Sequence, residues 1–155
     1  MKNNILIIGL GNDIICDDRI GLDLAATIAD ELSIPLAASQ AVNLGLLSDL
    51  DGFDTIIIID SIMTGSNSIG ALTKLSLSDL TTVTGNYSTH QISFLDLINA
   101  GKAMGFSMPT SIIIYAIEIL DNKTITEKMT TELQDKYPYI LKEIKDDINH
   151  SFGSN

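Results

Sequence analysis

The chain has no tryptophan, one cysteine, three prolines and only nine lysines and arginines in its 155 residues. Each scarcity excludes something. With Cys16 alone, no internal disulfide can form, so the fold must hold by packing, and a reducing compartment suits it. Aromatics make up 5% of the sequence, which leaves Ile, Leu and Ala to build the core. The nine cations face 20 Asp and Glu, for a formal net charge of −11. Such a surface repels phosphate backbones and anionic bilayers, so no nucleic acid and no membrane partner is expected. It favours a basic partner or a cation, and it also serves plain solubility. No apolar stretch approaches the roughly 20 residues of a membrane-spanning helix. The opening Met1-Lys2-Asn3-Asn4 runs straight into an apolar segment that ends at a glycine loop. That segment reads as a first strand, not a signal peptide, and the expected location is cytoplasmic.

What is present is a hydrophobic fraction of 45%, enough for a real core in a chain that should remove roughly two-thirds of its unfolded surface from water. The patterning alternates between two periods. Ile5–Leu10 is a continuous apolar run, as in a strand covered on both faces. A loop from Gly11 to Asp18 follows. Ile20, Leu24, Ile28 and Leu32, every four residues, then mark a helix over 20–32. Pro35 closes that region, and a weaker strand is expected over 36–42. Asn43 is placed to cap a short helix over 44–50. Thr55–Ile59 is β-branched throughout and reads as a strand stopping at Asp60. Residues 71–77 alternate as a more exposed strand, and 81–89, with Gly85 and Asn86, read as a loop. A helix over 91–104 should turn Ile92, Leu95, Ile98 and Ala103 inward. A last buried strand covers 111–119, and an amphipathic helix covers 124–148, bent or broken near Pro138. Strands alternating with helices define an α/β fold: a three-layer α/β/α sandwich, one domain over 1–155, around a twisted, mostly parallel sheet of about five strands.

Ligands of such sheets bind beyond the carboxyl ends of the strands. Asp17 and Asp18 follow the first strand by one loop, Asp60 ends the strongest strand, and His90 opens a helix, so the topology gathers them at one rim. Gly9-Leu10-Gly11 opens like a dinucleotide fingerprint, but position 14, where a third glycine belongs, is Ile14. Asp13, Asp17 and Asp18 would also repel a pyrophosphate. The acidic loop suits a cation better. Carboxylates with a neutral imidazole ligate divalent nickel, zinc or iron and leave positions for water or substrate. Each residue alone has a plainer reading: a strand-end Asp or a helix-start His is commonly a cap. Their joint placement favours a site. Nucleophile chemistry has little footing. There is no G-x-S-x-G elbow, Ser61 has no evident base, and Cys16 sits beside carboxylates that raise its thiol pKa and weaken the thiolate, as in a small buried residue. His150 belongs to a polar, exposed tail.

Gly9-Leu10-Gly11-Asn12 followed by Asp17-Asp18-Arg19-Ile20-Gly21 resembles the G-x-G-N…D-[DE]-x-x-G signature of the [NiFe]-hydrogenase maturation endopeptidases. The strand closing in Asp60-Ser61 is similar to the second family motif. Ser88-Thr89-His90-Gln91 with its following helix is similar to the third, and Ile112–Glu118 to the family's G-[IV]-[EQ]-P strand. The likeness runs in order from about position 5 to 120. It implies a hydrolase, an α/β/α endopeptidase that removes a short C-terminal peptide from the large-subunit precursor of a nickel–iron hydrogenase after nickel insertion. The residues it implies for metal contact and catalysis are Asp18, Asp60 and His90, supported by the loop of Gly11, Asn12 and Asp17. Nickel would arrive on the substrate, and another divalent metal could occupy the same site. A monomer is the default. The chain departs from the family where Ala38-Ser39-Gln40-Ala41-Val42-Asn43 replaces an Asp/Glu-Gly-Gly-Thr segment and where Ile119 replaces a proline. An alternative of a different class is a non-catalytic nickel-centre binding or assembly factor of the same fold.

Overall fold

The computed structural model describes residues 4–82 and 89–153, with backbone alone for 80–82 and 89–93. In chain order the elements are β1 (Ile5–Leu10), α1 (Ile20–Leu32), β2 (Leu36–Ser39), α2 (Leu46–Leu50), β3 (Thr55–Ile62), β4 (Leu72–Ser76), α3 (Leu77–Thr82), α4 (Thr89–Ala103), β5 (Ser111–Glu118) and α5 (Thr131–Phe152). The strands form one five-stranded sheet in the order β2-β1-β3-β5-β4. All neighbours pair in parallel except β4, which runs antiparallel on the edge of β5.

The three central strands are apolar on both faces because both faces are covered. Alternate residues serve alternate layers. Ile5 and Ile7 of β1, Ile57 and Ile59 of β3, and Tyr115 and Ile117 of β5 pack with Ile20, Leu24 and Ile28 of α1 and Ile140, Ile144 and Ile148 of α5. Leu6, Ile8, Ile56, Ile58, Ile112 and Ile114 point the other way, onto Leu46, Leu47 and Leu50 of α2 and Phe94, Leu97 and Ile98 of α4. The expected three-layer α/β/α sandwich with a mostly parallel sheet is therefore what the chain forms.

Several boundaries differ from the sequence reading, each for a physical reason. β3 continues through Asp60 to Ile62, since Asp60, Ser61 and Ile62 pair with Ala116, Ile117 and Glu118; a polar residue in a strand does not stop it when its backbone stays on the ladder. β2 ends at Ser39. In α4 the buried stripe is Phe94, Leu97 and Ile98, with Leu95 only half-buried and Ala103 exposed; the larger Phe94 takes the inward position. The last helix begins at Thr131, after an irregular segment, and passes Pro138 without a break. Pro138 is on the exposed side, where water can satisfy the carbonyl it leaves unpaired. The chain also turns helical at Leu77–Thr82, where a loop was expected from 81. The reading of Gly85-Asn86 as a loop lies outside the described residues. No described helix is long and apolar enough to cross a membrane.

One contact decides where the site falls. At Gly21, in the first turn of α1, a Cβ would lie 2.2 Å from the carbonyl oxygen of Leu10 and 2.6 Å from that of Ile59. At Gly9 it would lie 2.8 Å from the Cβ of Ala25. The start of α1 thus rests directly on the ends of β1 and β3, which only glycine allows.

Asp147 of α5 accepts hydrogen bonds from Lys74 Nζ (2.6 Å) and from the buried Tyr115 hydroxyl (2.5 Å), tying α5 to β4 and β5. Lys74 first, and then Tyr115, hold its carboxyl below the usual range, while burial pushes the Tyr115 phenol up.

Two outcomes follow from this packing. Gly21→Ala should destabilise the protein by about 3 kcal/mol or more, because backbone has to move, lowering Tm by roughly 6–12 °C; an unchanged thermal midpoint would mean that α1 does not seat this closely. Because the folded pKa of Asp147 is depressed, its contribution is present above the unfolded value of about 3.9 and is lost as pH falls through the folded one. Asp147→Asn should therefore narrow the gap in urea midpoint between neutral and acidic pH, whereas a parallel shift at all pH values would contradict the assignment.

Candidate active site

The loop between β1 and α1 is folded around its own polar groups. Gly11 has φ of +152°, and a Cβ there would lie 2.2 Å from the carbonyl oxygen of Asp18. Asn12 accepts at Oδ1 from the N–H of Ile14 (3.1 Å), and its own N–H donates to Asp18 Oδ2 (3.0 Å). Arg19 grips Asp23 through Nε at 2.8 Å and donates to the carbonyl of Glu127. The half-buried Asp18 is thereby carried on a single 3-10 turn, Asp17–Arg19, at the carboxyl edge of the sheet.

Ser61 joins the two expected carboxylates. Its hydroxyl donates to Asp18 Oδ1 at 2.7 Å, and its N–H donates to Asp60 Oδ1 at 2.8 Å. Asp60 is wholly buried, on β3 one residue beyond Ile59, the last to pair with β1. Ser61, for which the sequence offered no evident base, thus hydrogen-bonds both candidate acids. Its signal in the sequence was its place next to Asp60, but only the seating of α1 reveals the partner.

Asp17 points the opposite way and does different work. It has no solvent exposure, and it accepts from the N–H groups of Leu120 (3.2 Å), Asp121 (3.1 Å) and Thr130 (2.7 Å) and from the Thr130 hydroxyl (3.0 Å). It therefore fastens the segment that leads from β5 into α5. Glu118, 1% exposed, does the same for the turn after β3, accepting from the N–H groups of Thr64 (2.8 Å) and Gly65 (2.9 Å) and from the Thr64 hydroxyl (2.8 Å). The sequence reading assigned Glu118 no role; a lone charge closing an apolar strand was the available clue. Cys16 is buried, and its thiol pKa is pushed up by that burial first and by Asp17 second. His150 is exposed on α5.

His90 lies in the first turn of α4; its side chain is outside the described residues, as is Ser88. Among the described residues no three His, Cys, Asp or Glu side chains converge to hold a metal ion. Asp18 and Asp60 bring two carboxylates to one edge, hard oxygen donors suited to a divalent cation. The 38–43 segment, where the family pattern has a glycine pair, is closed on itself: the Ser39 hydroxyl donates to the Ala41 carbonyl (2.6 Å), and Asn43 Oδ1 accepts from the N–H of Gly45 (2.8 Å). Asn43 thus closes a turn ahead of α2, which begins only at Leu46.

Fold and rim together define a class: an α/β/α domain with two aspartates, Asp18 and Asp60, toward the carboxyl edge of a mostly parallel sheet. The family model described as hydrogenase maturation protease matches residues 37–147, and the chain belongs to that family. It is 26% identical over 106 residues to the Hydrogenase 2 maturation protease of Escherichia coli (strain K12), an alignment spanning 65% of this chain and 65% of that protein. The fold is similar to the hydrogenase maturating endopeptidase HybD from E. coli, with a TM-score of 0.77 at 20% identity over 96% of this chain and 93% of the other. It is also similar to the [NiFe] hydrogenase maturation protease HybD from Thermococcus kodakarensis, with a TM-score of 0.76 at 18% identity over 92% and 97%.

The two adjacent aspartates should separate in a stability measurement. Asp17→Ala, which removes the acceptor of three partly buried N–H groups, should cost about 2–3 kcal/mol, while Asp18→Ala at the half-buried edge should cost about 1 kcal/mol. Equal losses in urea unfolding would refute this division of labour.

Proposed function

We propose that this protein is a cytoplasmic endopeptidase that removes a short C-terminal peptide from the large-subunit precursor of a nickel–iron hydrogenase once nickel is inserted. Asp18, Asp60 and His90 engage the substrate-borne nickel. The observation that carries the reading is that Ser61 hydrogen-bonds both Asp18 and Asp60 at the carboxyl edge of the sheet, in a chain of this family. Two carboxylates fixed before the substrate arrives pay no ordering entropy on binding, which is what preorganised recognition requires. Support for His90 comes from spacing: His90, Phe94 and Ile98 step by four, the interval of one helix face, and Phe94 and Ile98 pack on the same sheet face as Ile56 and Ile58, the face that position 60 shares by strand alternation.

The chemistry asked of this chain is modest. The nickel belongs to the substrate, and it marks the mature precursor and orients the scissile segment. A second lone pair on each Asp18 oxygen remains for a ligand after the bonds from Asn12 and Ser61. A carboxylate of the pair takes a proton from water as its oxygen attacks the scissile carbonyl carbon. That proton then passes to the leaving amine nitrogen as the C–N bond breaks.

The deciding experiment incubates the purified protein with nickel-loaded and nickel-free precursors and reads intact mass. Loss of a C-terminal peptide from the loaded precursor alone is the expected result. Asp18→Ala, Asp60→Ala and His90→Ala should each lower the rate by about 10²-fold or more without unfolding the chain, and normal cleavage by His90→Ala would remove that residue from the site. Tight association with the loaded precursor but no cleavage would instead favour a non-catalytic nickel-centre assembly factor.

A further inference from the structure

Half of the exposed large hydrophobic residues among those described sit on the loops that leave the carboxyl ends of β1, β3 and β5: Ile14, Met63, Leu120 and Ile125, between 46% and 77% exposed. Backbone hydrogen bonds join these loops into one rim. Thr126 N–H donates to Ile14, Cys16 N–H to Thr124, Asp17 N–H to Asp121 and Ile119 N–H to Ile62. Asp18 lies on the first of these loops and Ser61 on the strand end that leads into the second. The rim is also rigid, because the wholly buried Asp17 and Glu118 hold the loops from beneath. Exposed apolar side chains on loops held by buried carboxylates suit a contact surface.

The backbone of this rim specifies what binds. Ile15 and Ile125 form an isolated antiparallel bridge. Its two hydrogen bonds run through their neighbours, Cys16 to Thr124 and Thr126 to Ile14, so Ile15 and Ile125 are the non-hydrogen-bonded pair and their own N–H and C=O groups point away from each other. Ile15 turns its N–H to Asn12. Ile125 has no hydrogen-bond partner among the described residues for either group, and its side chain is 77% exposed. At that one bridge residue an N–H, a C=O and an apolar side chain are thus open to an extended peptide, which can pair there as a short further strand.

We propose that the edge at Ile125, with the apolar collar of Ile14, Met63 and Leu120, docks an extended apolar segment of the substrate polypeptide adjoining its cleavage point. This rests on the peptidase reading and names how the substrate chain, as distinct from its nickel, is held. Main-chain pairing at Ile125 sets the direction of the segment across the rim, and the collar takes its side chains. The chain's net charge of −11 selects segments with a basic flank.

The test uses the full-length protein with the nickel-loaded large-subunit precursor, following both Kd by titration and cleavage by intact mass. Ile125→Pro removes the N–H donor while keeping an apolar side chain, and Ile125→Asp keeps the donor while spoiling the collar; circular dichroism checks that both fold. Pro should weaken Kd and raise KM about fivefold and Asp about tenfold, with kcat within about twofold of the parent. If the parent cleaves and both variants match it in Kd and KM, the docking edge is wrong. If the parent binds without cleaving and the variants bind more weakly, the edge stands and the peptidase reading fails. If the parent neither binds nor cleaves a competent precursor, both fall.

Discussion

The site depends on how closely a helix can approach the ends of two strands. α1 begins with Gly21 lying on the carbonyls of Leu10 and Ile59, where any Cβ would come within 2.6 Å of backbone oxygen. Because the helix seats there, the turn just before it lies against the end of β3, and Asp18 meets the hydroxyl of Ser61. A larger residue at 21 would lift the helix start and separate the two acids. The glycines of the Gly9-Leu10-Gly11 segment serve the same contact, Gly9 against α1 and Gly11 against the carbonyl of Asp18. They play the packing part that glycines play in dinucleotide folds, here with carboxylates where a phosphate would sit.

Around that contact the protein uses buried acids as fasteners. Burying a carboxylate is costly unless its oxygens are satisfied by donors. Asp17 and Glu118 are each satisfied by backbone N–H groups and a threonine hydroxyl from loops that have no other regular structure. Those loops carry the site's surroundings. The fold therefore places acids of two kinds within a few residues of each other: Asp17 turned inward to organise backbone, and Asp18 turned to the edge, where its lone pairs remain partly available. With most of its acids exposed, the chain keeps a strongly negative surface, which suits a partner that arrives with positive charge or a cation.

Much of this was legible in the residues. The alternation of apolar strands and four-residue helical stripes in Ile5–Leu10, Ile20–Leu32 and Thr55–Ile59 reports periods of 2 and 3.6, and these periods are local properties. The layer order and the carboxyl-edge location of Asp18 and Asp60 follow from them. The boundary errors also have local causes. A strand does not end at Asp60 because pairing with β5, not side-chain polarity, sets its length. The inward stripe of α4 is not legible locally, because helix rotation depends on which of Phe94 and Leu95 the sheet accepts.

By itself the sequence determined the class of fold, the apolar faces and which polar residues reach one rim, because period, turn chemistry and motif spacing are written in neighbouring residues. Only the tertiary structure decided that Asp17 faces inward and Asp18 outward, that Ser61 links Asp18 to Asp60, and that Ile125 offers an unpaired edge. Those outcomes depend on pairs of groups far apart in the chain, such as Asp17 with Thr130. Their meeting is fixed by the approach of α1 to the sheet and by the need to satisfy every buried carboxylate.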